Sequence, residues 1–145
     1  MNRRYLSWTA RLCVLIGVAG WPVIADEVAK QGQTSTTKLE HAIEGHLADL
    51  NGKYKLRVSE VRYARDGFIG DHHHAGPGIR CVSAGALTYV QPDKTTVYRP
   101  GDCFFESGDI SHTAVNKGME PVVLLNFEVL RSDWSGSSTV PVPQK

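Results

Sequence analysis

The sequence has no predominant sign of charge, because 16 Lys and Arg residues stand against 15 Asp and Glu residues. This balance argues against a nucleic-acid-binding protein, in which a basic excess is expected. No uninterrupted apolar run reaches the length of a membrane span. Only 3 cysteines are present, without a Cys-x-x-Cys pattern, which excludes a disulfide-scaffolded fold and a cysteine-based zinc site. The composition that is left, with 41% hydrophobic residues in 145, suits one folded domain.

The first 25 residues have the features of a cleaved export signal. A basic start is followed by the apolar stretch 12–20, and Val23 and Ala25 suit the positions before a cleavage site at Asp26. The sequence therefore predicts a periplasmic or secreted protein. Arg3-Arg4 leaves the twin-arginine route open, although ordinary secretion is favoured.

Cleavage would remove three arginines and no acidic residue, and the formal charge of +1 would become −2. Two cysteines would be left, Cys81 and Cys103. They could pair in an oxidising compartment, or they could be two separate buried side chains, and we favour the second interpretation.

The rest of the chain divides into a polar stretch, a domain and a tail. Residues 26–36 read as a flexible lead-in, and residues 132–145 as a loose tail. Between them we expect one domain over residues 37–131. It opens with a helix at 38–50, because the apolar residues there recur at helical spacing after a possible cap.

From Tyr54 onward, apolar and polar residues alternate as in β-strands. Further β-rich runs follow at Ile79–Val82, Ala86–Gln91, Thr95–Tyr98, Asp102–Glu106, Thr113–Asn116 and Pro121–Leu130. Turn signals such as Asp66-Gly67 and Pro100-Gly101 separate these runs. Many short strands with regular turns predict an all-β sandwich or barrel, preceded by the one short helix.

Four of the 6 histidines lie in two places, three in succession as His72-His73-His74 and the fourth as His112. On a strand, His72 and His74 share a face, and with His112 they could form an open metal site. Imidazole suits divalent Fe, Mn, Ni, Cu or Zn. The alternative is a polar loop with exposed histidines.

These residues resemble the two motifs of the cupin family. In the first, His72-x-His74 is followed by Gly78 and, after six residues, by Gly85. In the second, Gly101 is followed at family spacing by His112 and Asn116. The resemblance covers roughly residues 54–130 and implies a cupin β-barrel, also called a double-stranded β-helix or jelly roll.

The sequence departs from the family motifs at several positions. Gly78 stands where the family has the glutamate that completes its metal site, and Ser107 and Asp109 replace a proline and a glycine. The resemblance therefore implies a metal site of three histidines, His72, His74 and His112. Glu106 is the nearest other carboxylate, and the sequence does not establish that it faces inward.

Two further residues are candidates for substrate binding. Arg80 has the strand parity of an inward-facing residue and could hold a substrate carboxylate, or it could reach solvent. Asn116 shares parity with His112 and would either orient a ligand or brace the barrel. His73 should face outward. Further candidates for the cavity lining, more often core residues, are Tyr89, Tyr98, Phe104 and Asn126.

Among cupins, the sequence looks most like the small quercetin-dioxygenase-like members. We therefore expect an exported metal cupin that acts on a small organic molecule by dioxygenase-like, isomerase or lyase chemistry. The alternatives are a non-catalytic cupin that binds metal or a small ligand, and a metal-free structural cupin. Expected partners are a small-molecule ligand and, by resemblance, a second copy in a homodimer. Neither nucleic acid nor, after cleavage, a membrane is expected.

Overall fold

The structure, a computed structural model, describes residues 27–143. All regular secondary structure in that range is β-strand. The predicted export signal lies outside the described residues. The strands are β1 (Lys30–Ala42), β2 (Tyr54–His74), β3 (Gly78–Ala84), β4 (Leu87–Gln91), β5 (Lys94–Tyr98), β6 (Cys103–Glu106), β7 (His112–Val115), β8 (Val122–Arg131) and β9 (Thr139–Pro141). Within the described range, no helix is long and apolar enough to cross a membrane.

The strands form one curled sheet in the order β5-β4-β7-β2-β8-β3-β6, while β1 and β9 also pair with β2. This arrangement confirms the predicted all-β barrel. The long strand β2 joins the two halves of the barrel, since its first part pairs with β8 and its last part with β7.

A bulge lies between these two parts of β2, where Asp66 has a positive φ of 58°. Aspartate tolerates this left-handed conformation because its short polar side chain can bond locally. The signal at Asp66-Gly67 was expected to separate two strands, but it marks an irregularity within one strand.

The helix predicted over residues 38–50 is wrong. Residues up to Ala42 belong to β1, and bends and turns follow up to residue 53. The apolar residues of the supposed helix face do not form a buried stripe, because Leu39 is 57% exposed and Leu47 is 65% exposed. Instead, the run of Ser and Thr residues at 34–37 favours extended backbone and pairs with the free edge of β2.

The expected flexible lead-in and loose tail also contain paired strands. Residues 30–36 lie in β1, which pairs with β2 in antiparallel register. In the tail, β9 pairs with the end of β2, so that Val140 lies opposite His73. Backbone pairing explains both differences, because polar sequences can add to an open sheet edge without burying an apolar face.

The centre of the barrel is filled by a cluster that we call the apolar belt. It consists of Val61, Tyr63, Ile69, Val82, Leu87, Tyr89, Ala114, Val122 and Leu124. Burial of each large side chain in such a cluster contributes about 1.5–3 kcal/mol. The belt therefore holds both halves of the barrel together and fixes the parts of β2 that flank it.

A disulfide joins Cys81 of β3 to Cys103 of β6. The two cysteines face each other in the register of the strand pair. Our preference for two separate buried side chains was therefore wrong. Their register depends on the pairing of two strands, which the spacing of the cysteines in the sequence does not reveal.

Candidate metal centre

The three predicted ligands come together on the inner face of β2 and β7. His72 and His112 lie opposite each other in the strand register, and His74 follows two positions later. The side chains of His72 and His112 are almost fully buried. One ring nitrogen from each of the three histidines lies within 4.8 Å of the others. This is a donor set that suits a divalent first-row transition metal.

Backbone carbonyls orient two of the three rings. The Nδ1 atom of His72 lies 2.7 Å from the carbonyl of Gly70, and that of His112 lies 3.1 Å from the carbonyl of Ile110. Since a carbonyl oxygen can only accept, each Nδ1 donates its proton. The Nε2 lone pair of each neutral ring is then available to a metal.

The electrostatics of the site favour neutral imidazoles. Burial, supported by the neighbouring His112, lowers the pKa of His72 to about 4. Burial and the nearby Arg80 lower the pKa of His74 to about 2. Burial also lowers the pKa of His112. The rings are therefore uncharged at neutral pH, which is the form in which histidine binds a metal.

Glu106 faces the histidines from β6, although the sequence did not establish that it points inward. Its carboxylate oxygens lie 3.3 Å from Nε2 of His74 and 3.3 Å from Nε2 of His112. Burial raises the pKa of Glu106, while the charge of Arg80 opposes that rise. A signal for this orientation existed, because Glu106 has the strand parity of Phe104, which was an expected lining residue.

Arg80 also faces the interior, the first of the two orientations considered, but its guanidinium is already paired. Its Nε atom lies 2.7 Å from Glu106 Oε2, and its Nη2 atom lies 3.2 Å from Glu128 Oε1. Only 2% of Arg80 is exposed. The side chain therefore bridges two buried carboxylates. We call His72, His74, Arg80, Glu106, His112 and Glu128 the polar cluster.

Asn116 does not line the cavity, so the prediction that it binds substrate is not supported by its position. It is fully buried, and its amide donates to the carbonyls of Tyr63, Ala64 and Glu120. Its Oδ1 accepts the backbone N–H of Gly118 at 2.9 Å. Asn116 therefore braces the turn after β7, which is the second of the two roles considered.

The four other lining candidates differ in position. Phe104 and Asn126 line the cavity, and the Oδ1 atom of Asn126 is buried without a hydrogen-bond partner. Tyr98 stacks on Phe104 with 4.0 Å between the ring centroids. Tyr89 belongs to the apolar belt, and its ring centroid lies 4.6 Å from that of His112. These two tyrosines thus pack against His112 and Phe104, which line the cavity.

The cavity has a volume of about 1150 Å³ and extends from the polar cluster to a second group of charges at the start of β2. There, Glu40 pairs with Lys55 Nζ at 2.9 Å and with Arg57 Nε at 2.7 Å. Lys55 and Arg57 also donate to the backbone carbonyls of Trp134 and Gly136. These hydrogen bonds hold the segment after β8 against this end of the cavity.

Residues 59–128 match a family model described as a cupin domain. Among solved structures, the polyketide cyclase RemF from Streptomyces resistomycificus has 18% identity and a TM-score of 0.57, over 83% of this chain and 80% of that one. A cupin domain from Bordetella pertussis Tohama I has 18% identity and a TM-score of 0.51, over 70% and 96%. KdgF from Halomonas sp. has 19% identity and a TM-score of 0.52, over 69% and 86%. At these identities the likeness concerns the fold alone. None of the curated proteins matches the sequence.

Proposed function

Since the chain belongs to the cupin superfamily, we propose that it binds a divalent transition metal through His72, His74 and His112 and acts on a small organic molecule. The observation that carries the proposal is the convergence within 4.8 Å of three imidazoles, of which those of His72 and His112 are buried. The carbonyl contacts at Nδ1 of two rings support it further, because they direct Nε2 toward a common point.

A metal held at this point would act as a Lewis acid on an oxygen atom of the bound molecule. The apolar belt and Phe104 give one side of the cavity an apolar wall. Arg80 holds the two nearby carboxylates in place through its ion pairs. Dioxygenase-like, isomerase and lyase chemistry all suit such a site, because the cupin fold does not determine the reaction.

A non-catalytic metal- or ligand-binding cupin is the second candidate. It is favoured by the pairing of both Glu106 and Glu128 with Arg80, which engages one oxygen of each carboxylate. Assays with phenolic, sugar-acid and keto-acid substrates separate the two candidates. Turnover that is lost with the histidine ligands supports the enzyme, whereas metal binding without turnover supports the binding protein.

We also propose that the mature protein is periplasmic or secreted and begins near Asp26. The disulfide between Cys81 and Cys103 supports this location, because disulfides persist mainly in oxidising compartments. N-terminal sequencing of the exported protein tests the cleavage site. A start at Met1 would contradict the proposal.

The outer face of the barrel supports the proposal of a homodimer. Strand register places Leu39, Val58, Phe127, Ile79 and Phe105 in one continuous row across five strands. Ile79 is 49% exposed and Phe105 is 68% exposed, so the row offers an apolar surface to a second copy. A molar mass measured by light scattering should be that of a dimer and should fall in Phe105→Ser. A monomeric unaltered protein would contradict the proposal.

Elemental analysis of the purified protein tests the metal site, after expression with Fe, Mn, Ni, Cu and Zn available. We expect stoichiometric metal in the unaltered protein and loss of that metal in the double variant His72→Ala/His112→Ala. His73→Ala is the matched control, because His73 does not line the cavity and its variant should keep the metal. Substoichiometric metal in the unaltered protein, or equal metal in the double variant, would overturn the proposal.

A further inference from the structure

We propose that Glu106 is the carboxylate ligand of the metal centre, supplied from the strand opposite the position at which the family motif has its glutamate. The inference rests on the proposed binding of a divalent transition metal by the three histidines. It identifies a fourth ligand outside the histidine motif and explains why Gly78 does not leave the centre without a carboxylate.

Strand register is the first argument. Gly78 of β3 and Glu106 of β6 are direct partners in the antiparallel pair, and partners of this kind project to the same face of the sheet. A carboxylate on Glu106 therefore enters the same side of the barrel as a side chain at position 78 would. Glu106 is only 7% exposed, which places the carboxylate in the interior.

The distances are those expected of atoms that share one metal ion. Two ligand atoms about 2.1 Å from an ion, at angles of about 90–110°, lie about 3.0–3.4 Å apart. The Oε1 atom of Glu106 lies 3.3 Å from His112 Nε2, and its Oε2 atom lies 3.3 Å from His74 Nε2. Each oxygen of Glu106 thus approaches Nε2 of one histidine at the separation of neighbouring ligands.

The facing atoms of His112 and Glu106 are both of the kind that ligate a metal. His112 donates from Nδ1 to the carbonyl of Ile110, so its Nε2 presents a lone pair. An ionised carboxylate also presents only lone pairs. His112 Nε2 and Glu106 Oε1 lie 3.3 Å apart, so a divalent metal next to both could take a lone pair from each.

Gly78 makes room for the group that positions Glu106. A Cβ atom at position 78 would lie 2.2 Å from Arg80 Nη1 and 2.5 Å from the carbonyl of Phe127. The guanidinium of Arg80 occupies this space, and its Nε atom lies 2.7 Å from Glu106 Oε2. Arg80 is therefore a positioning residue, which fixes one carboxylate oxygen and leaves Oε1 directed toward His112.

The test compares Glu106→Gln with Glu128→Gln as the matched control. Both variants remove a buried carboxylate that contacts Arg80, but the Glu128 carboxylate comes no nearer to a histidine than 3.8 Å, at Nδ1 of His74. Co²⁺ affinity is measured by competition with a chromophoric chelator, and the visible spectrum of the Co²⁺-loaded protein is recorded. We expect Glu106→Gln to lose affinity by at least about 100-fold with a changed spectrum, and Glu128→Gln to lose about 10-fold or less.

Glu106→Asp keeps the negative charge beside Arg80 and guards against failure of the Gln variant to fold. Its shorter side chain should reduce Co²⁺ affinity by about 10-fold while circular dichroism stays that of the unaltered protein. Equal losses in Glu106→Gln and Glu128→Gln, with normal metal binding by the unaltered protein, would overturn the proposed role of Glu106 but not the proposed metal site. Absence of metal binding by the unaltered protein would overturn the proposed function as well.

Discussion

The apolar belt and the polar cluster are neighbours inside one barrel. Burial of the belt favours folding, whereas burial of the cluster opposes it. The belt gains from removal of apolar surface from water. The cluster buries two carboxylates, a guanidinium and three imidazoles, and desolvation of charged groups costs several kcal/mol that pairing only partly offsets. Fold stability therefore does not account for the polar cluster. Buried ionisable groups that line a cavity in this way are typical of binding sites.

The largest effect on stability is expected from Arg80→Met, which removes the cation between Glu106 and Glu128. Two buried carboxylates would then lie close together without a counter-charge, at a cost of about 3–5 kcal/mol in the free energy of unfolding at neutral pH. Chemical denaturation measures this loss. Arg80→Met/Glu128→Gln removes one of the two charges and should recover part of the stability. An Arg80→Met variant as stable as the unaltered protein would contradict the ion-pair arrangement.

A somewhat smaller effect is expected from Leu124→Ala in the apolar belt, where Leu124 is 3% exposed. Loss of buried methyl groups and the resulting cavity should cost about 3 kcal/mol, with no unpaired charge. Denaturation measures the cost, and Co²⁺ titration of the folded variant should give unchanged affinity. A large change in metal affinity would show that belt and cluster are not separable.

The smallest effect concerns pH and the metal-free protein, prepared with a chelator. The folded pKa of His72 is lowered to about 4 from an ordinary 6.5, so the unfolded chain takes up the proton first as pH falls. Stability is therefore fully present above about pH 6.5 and is lost toward pH 4, at up to about 1.4 kcal/mol per pH unit for each such histidine.

Glu106 opposes this trend, because its pKa is raised. A comparison of the unaltered protein with His72→Gln isolates the contribution of the histidine. Denaturation between pH 7 and pH 5 should give a weaker loss of stability in the variant. Identical slopes in the two proteins would contradict a buried, neutral His72.

The part of the barrel from β3 to β8 was predictable, because these strands are short and Gly and Pro mark many of their ends. The runs predicted from Ile79 to Leu130 coincide with β3 to β8 within a few residues. His72 and His74 were placed on one face by strand parity alone, and His112 joined them through the second family motif. The strand bounds and the shared face of His72 and His74 depend on local periodicity, which is visible in one sequence.

Two kinds of feature were not predictable. One depends on strand register, and the other on a strand that buries its polar side instead of its apolar side. In the first part of β2, the apolar residue Leu56 is 50% exposed, whereas Lys55 and Arg57 are buried. An alternating strand normally buries its apolar face. The sequence therefore did not indicate that the charged side chains of Lys55 and Arg57 line the cavity. Similarly, the proximity of Glu106 to His74 depends on the pairing of β6 with β3, which spacing along the chain does not specify.

Anomalous diffraction from crystals grown with Zn²⁺ or Co²⁺ tests the central claim most directly. We expect one strong peak at bonding distance, about 2.0–2.2 Å, from Nε2 of the three histidines and from a carboxylate oxygen of Glu106. A cavity without a peak, or a peak bound elsewhere on the protein, would contradict the metal centre.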